Sequence, residues 1–340
     1  MNILGLGHSN SGCSYHRIFV PVAKMEKTYG KITNEIKEDT FEEHKYDIVY
    51  VNRMWGQADL IELRKIYGFK LVIDMDDYWV LDHFHLNYED YRVHNFASKI
   101  IKHLREADLI TCTHTHLADR VAEYNPNVII TPNAIPYGEF QFNDYRNPDE
   151  RIRLFWAGGI THEEDLRILN RPLRVVQQTH LKDKVKMVFG GFHDSNPIEK
   201  KIWHSIADSF TAGGLLHHEG LRGMPVFEYY SMFANADMML IPLRKTDFNA
   251  YKSNLKILEA AGKGIPVIAS AVHPYLGFPE DLVNYAHNEQ MWIHWLHKLI
   301  DNDDLRTEQG ALLAEYCKKN YNFDEINQRR IDAFKALISK

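Results

Sequence analysis

Cysteine is scarce: Cys13, Cys112 and Cys317 are the only three in 340 residues. They are too few and too scattered for a disulfide framework or a C-x-x-C zinc site, and a reducing cytoplasm is the expected compartment. No stretch approaches the ~18 apolar residues of a membrane-spanning helix. The opening residues MNILGLGHSN put no positive charge ahead of a very short apolar run, so no signal peptide is expected. Positive charge is not in excess either. Forty Lys and Arg against 46 Asp and Glu leave a net charge of −6, which argues against a large basic footprint for nucleic acid but not against a local patch. No repeat of 20–50 residues and no low-complexity segment is visible.

What the chain does have is alternation of apolar strands with amphipathic helices. Residues 235–272 show it best. The run Met238 to Leu243 ends in a polar loop, Ser253 and Asn254 open a helical pattern carried by Leu255, Leu258 and Ala261, and Gly262 and Gly264 close it before the strand Ile265–Ile268. This is the repeating block of a parallel α/β sheet. Further strands are expected at 2–7, 46–51, 70–73, 107–112, 127–130, 151–156, 184–189 and 215–220. Helices are expected near 14–29, 57–67, 95–106, 226–235, 289–301, 303–318 and 323–337. The polar stretch from Tyr137 to Asp149 has no period and separates two α/β halves, 1–140 and 150–318, with residues 319–340 as a C-terminal helix.

Chemistry in such sheets gathers at the carboxyl ends of the strands. At the helix start in the second half, Ser253 and Asn254 are good N-caps, and an anion is favoured there by free N–H groups and the helix dipole. Lys252 and Lys256 flank that point, and Glu259 lies one to two turns along, within reach of hydroxyl groups on whatever carries the anion. A diphosphate attached to a ribose fits, and so does an ordinary solvated helix. In the first half the loop after the opening strand offers Asn10, Ser11, Gly12, Ser14, His16 and Arg17. Its glycine spacing is not G-x-G-x-x-G, so the dinucleotide reading is weak. The strand 70–73 ends in Asp74, Asp76 and Asp77. One of these acids can cap a helix or pair with Arg or Lys. Alternatively one touches a sugar hydroxyl or serves as a base, or the D-x-D spacing holds a divalent cation on a diphosphate. His83 and His85 are read as lining a polar loop.

Four segments resemble the GT-B glycosyltransferases, most of all the large retaining family 4, often labelled group 1. Residues 107–121 (ADLITCTHTHLADRV) resemble a strand and helix of that family. Residues 128–140 (VIITPNAIPYGEF) resemble its I-P-N-G-V-D…F signature, with Ala134 where glycine is usual. Residues 153–161 (RLFWAGGIT) resemble the opening of its nucleotide domain, and 235–270 its A-D…P…E-A…A-x-G-x-P-V-I-A segment. The first hundred residues match less well. The resemblance implies an α/β GT-B fold, two Rossmann-like doubly wound domains facing a cleft, with the last helix returning to the first domain. It implies transfer of a sugar, with retention, from a UDP- or GDP-type nucleotide sugar to an acceptor hydroxyl. The donor would be held by Gly158, Gly159, Lys252, Ser253, Asn254, Lys256 and Glu259, with Arg244 and Lys245 behind them. Glu259 matches the second glutamate of the family's E-x7-E motif. Tyr251 stands at the first, a departure that puts the usual sugar contact in doubt. His114 sits where the family often has a polar group near the donor sugar, and His114, Asp76 and Asp77 are the candidates for catalysis. Asn10, Ser11, Gly12, His16 and Arg17 are the candidates for the acceptor or sugar side. Since the diphosphate site has its own cations and N–H groups, no metal is required.

The expected partners are the donor and a glycan, lipid-linked or other hydroxyl acceptor, in the cytoplasm or peripheral to a membrane. Two alternatives stay open. One is a glycosyltransferase decorating modified DNA bases, which needs a basic stripe. The other is a non-catalytic nucleotide-sugar-binding protein, kept open by Tyr251. A NAD-dependent dehydrogenase fits less well, because neither half has a glycine fingerprint followed by an acid ~20 residues on.

Overall fold

A computed structural model describes the chain apart from residues 9, 26–28, 38, 39, 43, 55, 57, 194, 195, 212–216 and 340, with 209–211 described by backbone alone. Two compact units emerge. The first comprises Met1–Ala134, Tyr251–Ser253 and Tyr321–Lys340, and the second Ile135–Ala250 and Asn254–Asn320.

The first unit is built on β1 (Ile3–Leu6), β2 (Gly30–Thr33), β3 (Ile48–Asn52), β4 (Lys70–Met75), β5 (Leu109–Cys112) and β6 (Val128–Ile130). All pair in parallel, in the order β2-β1-β3-β4-β5-β6. Strands β1, β3 and β5 are buried along their whole length, which is why they read as unbroken apolar runs rather than alternating ones. Each fully buried Val, Leu or Ile here contributes about 1.5–3 kcal/mol. Helix ends follow local chemistry. Asp59 accepts from the amides of Ile61 and Glu62 to start Leu60–Tyr67, and Gly68, at φ +73°, ends it. Asn322 caps Phe323–Ile338 in the same way, and Phe334 of that helix packs edge-on against Tyr50.

The second unit repeats the plan with β7 (Ile152–Ala157), β8 (Val185–Phe192), β9 (His217–Arg222), β10 (Met238–Ile241), β11 (Val267–Ser270) and β12 (Asn284–Ala286). These are again parallel, in the order β12-β11-β10-β7-β8-β9. The α/β class and doubly wound sheets are as read from the sequence. Among the described residues no helix is long and apolar enough to cross a membrane.

Several elements differ from expectation for identifiable reasons. Edge strands β2 and β12 have four and three residues, too short to show a period. The helix expected at 226–235 is a 3-10 helix, Tyr229–Asn235. Its Tyr230 and Phe233 rings stack 5.0 Å apart, as the eclipsed i and i+3 positions of that helix allow. The first helix runs over 12–23 with a π-helical middle, Tyr15–Phe19; residues 26–28 of its expected span lie outside the described residues. So do residue 57 of the expected helix 57–67 and Leu215 and Leu216 of the strand that begins, as described, at His217.

Candidate functional site

In the second sheet the chain passes from β7 outward to β8 and β9, then returns to the other side of β7 as β10. The point where strand order reverses therefore lies between β7 and β10, and ligands of doubly wound sheets bind beyond the carboxyl ends of the strands there. The loop leaving β7 is Gly158-Gly159. The Gly158 amide donates to the Gly190 carbonyl at 3.1 Å, and a Cβ on Gly158 would lie 2.8 Å from the Trp156 ring. Gly191, at φ +104°, leaves no room for a side chain either, because a Cβ would overlap the Gly158 carbonyl. The backbone is thus bare at Gly158 and Gly191 because their neighbours require glycine, whereas a Cβ on Gly159 would meet only Thr161 Oγ1 at 3.9 Å.

The helix Leu255–Gly262 begins beside this loop. Asn254 is its N-cap residue and makes no side-chain capping bond. The Lys256 ammonium donates to the Ala157 carbonyl and lies 5.7 Å from the Trp156 ring centroid. This contact places a cation against the peptide that leads into Gly158. One turn further, Glu259 is 2% exposed. Burial raises its carboxyl to about 7 from an ordinary 4.5, against the opposing pull of Lys256.

Asp165 ties together the loops leaving β7 and β10. Its carboxylate takes the His162 ring nitrogen Nδ1 at 2.8 Å, the Arg244 amide at 2.9 Å and the Asn249 side-chain amide at 3.3 Å. Burial pushes this carboxyl up, but His162 and Arg244 outweigh it and hold it below its ordinary value. Arg244 Nε lies 3.5 Å from the same carboxylate. Asp165 is the third acid of a Glu-Glu-Asp run, and nothing local marks which of the three turns inward.

In the first unit, register explains the cluster at the strand ends. Asn52, Asp74 and Thr111 are aligned across β3, β4 and β5. Asp74 is fully buried and accepts from Thr111 Oγ1 at 2.5 Å, Tyr50 Oη at 3.1 Å and Asn52 Nδ2 at 3.2 Å. The Arg17 guanidinium pairs with it at 2.8 Å and 3.0 Å, and also donates to the Thr131 carbonyl and hydroxyl and to Asn133 Oδ1. Every edge of that guanidinium is occupied, so Arg17 is a strut of this unit. His16 beside it is buried, and burial together with the Arg17 charge lowers it to about 3, which keeps it neutral.

Asp76 accepts from Arg53 Nε at 3.0 Å and Asn52 Nδ2 at 3.0 Å. Burial opposes its ionisation, yet the Arg53 charge and these bonds hold the carboxyl far below the usual range. Arg53 sits at φ +61° to make that contact. Asp77 accepts the Tyr78 amide at 3.0 Å and lies 3.6 Å from Arg53 and 3.5 Å from Lys252. His114 caps the helix Thr115–Ala122 by accepting the Leu117 amide on Nδ1 at 3.2 Å, which leaves the Nε2 proton to donate to the Tyr251 carbonyl at 3.2 Å. The Tyr251 ring is stacked between Tyr78 at 4.4 Å and His116 at 4.3 Å.

The candidates named from sequence therefore fall into two sets. Gly158, Gly159, Asn254, Lys256 and Glu259 come together in the second unit. Lys252 and Ser253 count with the first, where Ser253 Oγ accepts from Asn133 Nδ2 at 2.8 Å. Asn10, at φ +58°, and Ser11 lie in the turn after β1, Gly12 opens the following helix, and the Ser11 hydroxyl caps that helix by accepting the Ser14 amide.

No protein-family profile matches the chain, and no curated protein sequence matches it. Solved structures do. Sucrose-phosphate synthase from Thermosynechococcus elongatus superposes with a TM-score of 0.70 at 12% identity, over 100% of both chains. HepE from Anabaena, solved in complex with UDP-glucose, gives 0.68 at 12% identity over 99% of this chain and 100% of that one. A glycosyltransferase from Rickettsia africae gives 0.66 at 10% identity over 99% and 98%. At such identities what is shared is the fold, and this chain has the GT-B fold of two Rossmann-like domains.

Proposed function

We propose that this protein is a glycosyltransferase that takes a sugar from a UDP- or GDP-type nucleotide sugar and passes it to an acceptor hydroxyl, with retention at the anomeric carbon. The observation that carries the reading is the meeting of Lys256 with the Ala157 carbonyl beside Gly158. It sets a cation, a helix start and a bare glycine backbone at the reversal point of one sheet. Sugar transfer needs the departing diphosphate stabilised, and fixed cations and backbone N–H groups do that without reorganising during the reaction. Gly158 and Gly159 let the diphosphate approach the backbone, Lys256 supplies charge, and Glu259 accepts from hydroxyl groups of the nucleoside. The fold supports this, since HepE was solved with UDP-glucose and shares it.

For the acceptor side we propose the turn Asn10-Ser11-Gly12, with His16 and Arg17 as its buried support. Asp77 is proposed for acceptor deprotonation, while His114, with Nδ1 accepting from the Leu117 amide and Nε2 donating to the Tyr251 carbonyl, positions its segment instead. Asp76, pinned by Arg53, steadies Asp77's surroundings instead of exchanging protons. Lys252 and Ser253, read with the donor set in the sequence, count with the first unit, where Lys252 lies 3.5 Å from Asp77 and Ser253 accepts from Asn133. The acceptor is proposed as a glycan, lipid-linked or other hydroxyl compound.

A panel of nucleotide sugars, tested by thermal shift and by release of free nucleotide, decides the matter. One donor is expected to raise the melting temperature and release its nucleotide, and Lys256→Ala to weaken that binding about tenfold or more. Absence of shift and release with every donor would sink the enzyme reading. Unchanged nucleotide affinity in Lys256→Ala would move the site elsewhere.

A further inference from the structure

The loop that leaves β7 has a bare backbone but no fixed cation of its own: from Gly158 to Leu166 the sequence holds no Arg or Lys. Charge for an anion there has to come from other elements. Lys256 comes from the helix Leu255–Gly262. A second cation, Arg244, comes from the loop leaving β10, just past Ile241, and the donor set proposed above leaves it out.

Arg244 is held at two points by one oxygen. Its amide donates to Asp165 Oδ1 at 2.9 Å, and its Nε lies 3.5 Å from the same atom. Asn249 joins the pair by donating Nδ2 to Asp165 Oδ1 at 3.3 Å and to the Arg244 carbonyl at 3.0 Å. The side chain is thereby laid back over Asp165, whose Oδ2 takes His162 Nδ1 at 2.8 Å. The His162 ring in turn comes within 3.5 Å of the place a Cβ would take on Gly158. A short run of contacts thus carries the guanidinium to the glycine-loop side of β10.

This hold leaves the outer edge of the guanidinium open. Nε is buried against Asp165 and makes no hydrogen bond. Nη1 and Nη2 make none either among the described residues, but they are not closed off, and the side chain is 34% exposed. Four N–H groups on a rigid planar fork therefore stand at the reversal point of the sheet. Such a fork matches two phosphate oxygens at once, and bonds between two charged groups are stronger than neutral ones.

We propose that Arg244 binds the outer phosphate of a nucleoside diphosphate and so makes this site select a diphosphate over the corresponding monophosphate. The inference rests on the donor reading above. Lys256 and Glu259, three residues apart on one helix, share a face. With Glu259 on the nucleoside, Lys256 meets the inner phosphate, and Arg244, from the loop leaving β10, meets the outer one.

Calorimetric titration of the full chain with UDP and UMP, and in parallel with GDP and GMP, tests the assignment. One diphosphate is expected to bind at a single site, about tenfold more tightly than its monophosphate. Arg244→Gln should remove that preference by weakening the diphosphate about tenfold and leaving the monophosphate within about twofold. Arg244→Lys keeps the charge without the fork and should weaken the diphosphate about threefold; it carries the test if the first variant melts early. Diphosphate affinity unchanged in folded Arg244→Gln overturns the inference and leaves the donor reading standing. So does an equal loss for diphosphate and monophosphate, which would give Arg244 only a structural part in its loop. Failure of both diphosphates to bind the wild-type chain overturns the donor reading and this inference with it.

Discussion

Replacing Glu259 by Gln tests the electrostatics of the candidate site directly. The carboxyl is 2% exposed, and burial raises it to about 7 from 4.5 although Lys256 pulls the other way. The sign follows from proton counting. Between 4.5 and 7 the folded protein keeps a proton that the unfolded chain has released, so stability falls as pH rises through that window and levels off above it. A rise of this size corresponds to about 3 kcal/mol. Gln fills the same volume and does not titrate. The difference in stability between wild type and Glu259→Gln should therefore shift by about 3 kcal/mol in favour of the variant from pH 4.5 to 8. Two-unit chains need not unfold in one step. The assay is accordingly hydrogen exchange of the amides in the helix Leu255–Gly262, read at four pH values in that range, and it reports on the second unit alone. Lys256→Met should move the wild-type window to higher pH, since the opposing charge is gone. If the difference between wild type and Glu259→Gln stays within about 0.5 kcal/mol across the range, well under the linkage expectation, the carboxyl is not held protonated by burial and the reasoning fails.

Other expectations are simpler. Asp74→Asn leaves the Arg17 charge without its counterion in a fully buried setting and should destabilise the first unit by about 3–5 kcal/mol, measured by exchange of the β3 and β4 amides; a loss under about 1 kcal/mol would mean that water reaches the pair. Gly191→Ala forces a side chain onto φ +104° and against the Gly158 carbonyl. It should cost about 1–3 kcal/mol and weaken nucleotide binding, and calorimetry showing wild-type nucleotide affinity would separate the glycine loop from the site. Asp165→Asn removes a carboxylate held below its ordinary 3.8. The stability from its ionised form is complete above 3.8 and fades as pH falls further, so acid denaturation of the second unit should lose that component, and an unchanged acid limb in circular dichroism would contradict it.

The sequence carried the interior strands because their burial is continuous. IVYVN and KLVIDM need no tertiary information to be read as parallel strands. Edge strands β2 and β12 carry no such signal, since one or two neighbours suffice to hold three or four residues. Helix 12–23 was legible as a helix but not as one with a π-turn at Tyr15–Phe19, since that turn accompanies Arg17 meeting Asp74, 57 residues away. The same limit applied to the acids at the end of β4. Local spacing offers Asp74, Asp76 and Asp77 as equals. Register separates them, because Asp74 lies level with Asn52 and Thr111 and is buried with Arg17, whereas Asp77 lies beyond the sheet beside Lys252. At Tyr251 the departure from the E-x7-E pattern was visible, but its physical role was not: the ring's partners, Tyr78 and His116, are more than 130 residues away in the chain.

The two sheets, alike in plan, end differently at their carboxyl edges, and the difference bears on where an anion can go. In the first, the strand ends are closed by their own ion pairs. Arg17 is spent on Asp74 and Arg53 on Asp76, so bringing a diphosphate to either guanidinium means breaking a buried or half-buried pair at a cost of several kcal/mol. In the second, the tip of β7 carries two glycines, and the nearby cation, Lys256, is held by a carbonyl oxygen. A neutral carbonyl is a weaker partner for an ammonium than a phosphate oxygen is, because it offers a partial charge where the phosphate carries a formal one. Exchanging the Ala157 carbonyl for an incoming phosphate therefore costs less than exchanging Asp74 or Asp76 would. On these grounds, independent of any likeness of fold, the proposed diphosphate site is better placed in the second unit than in the first.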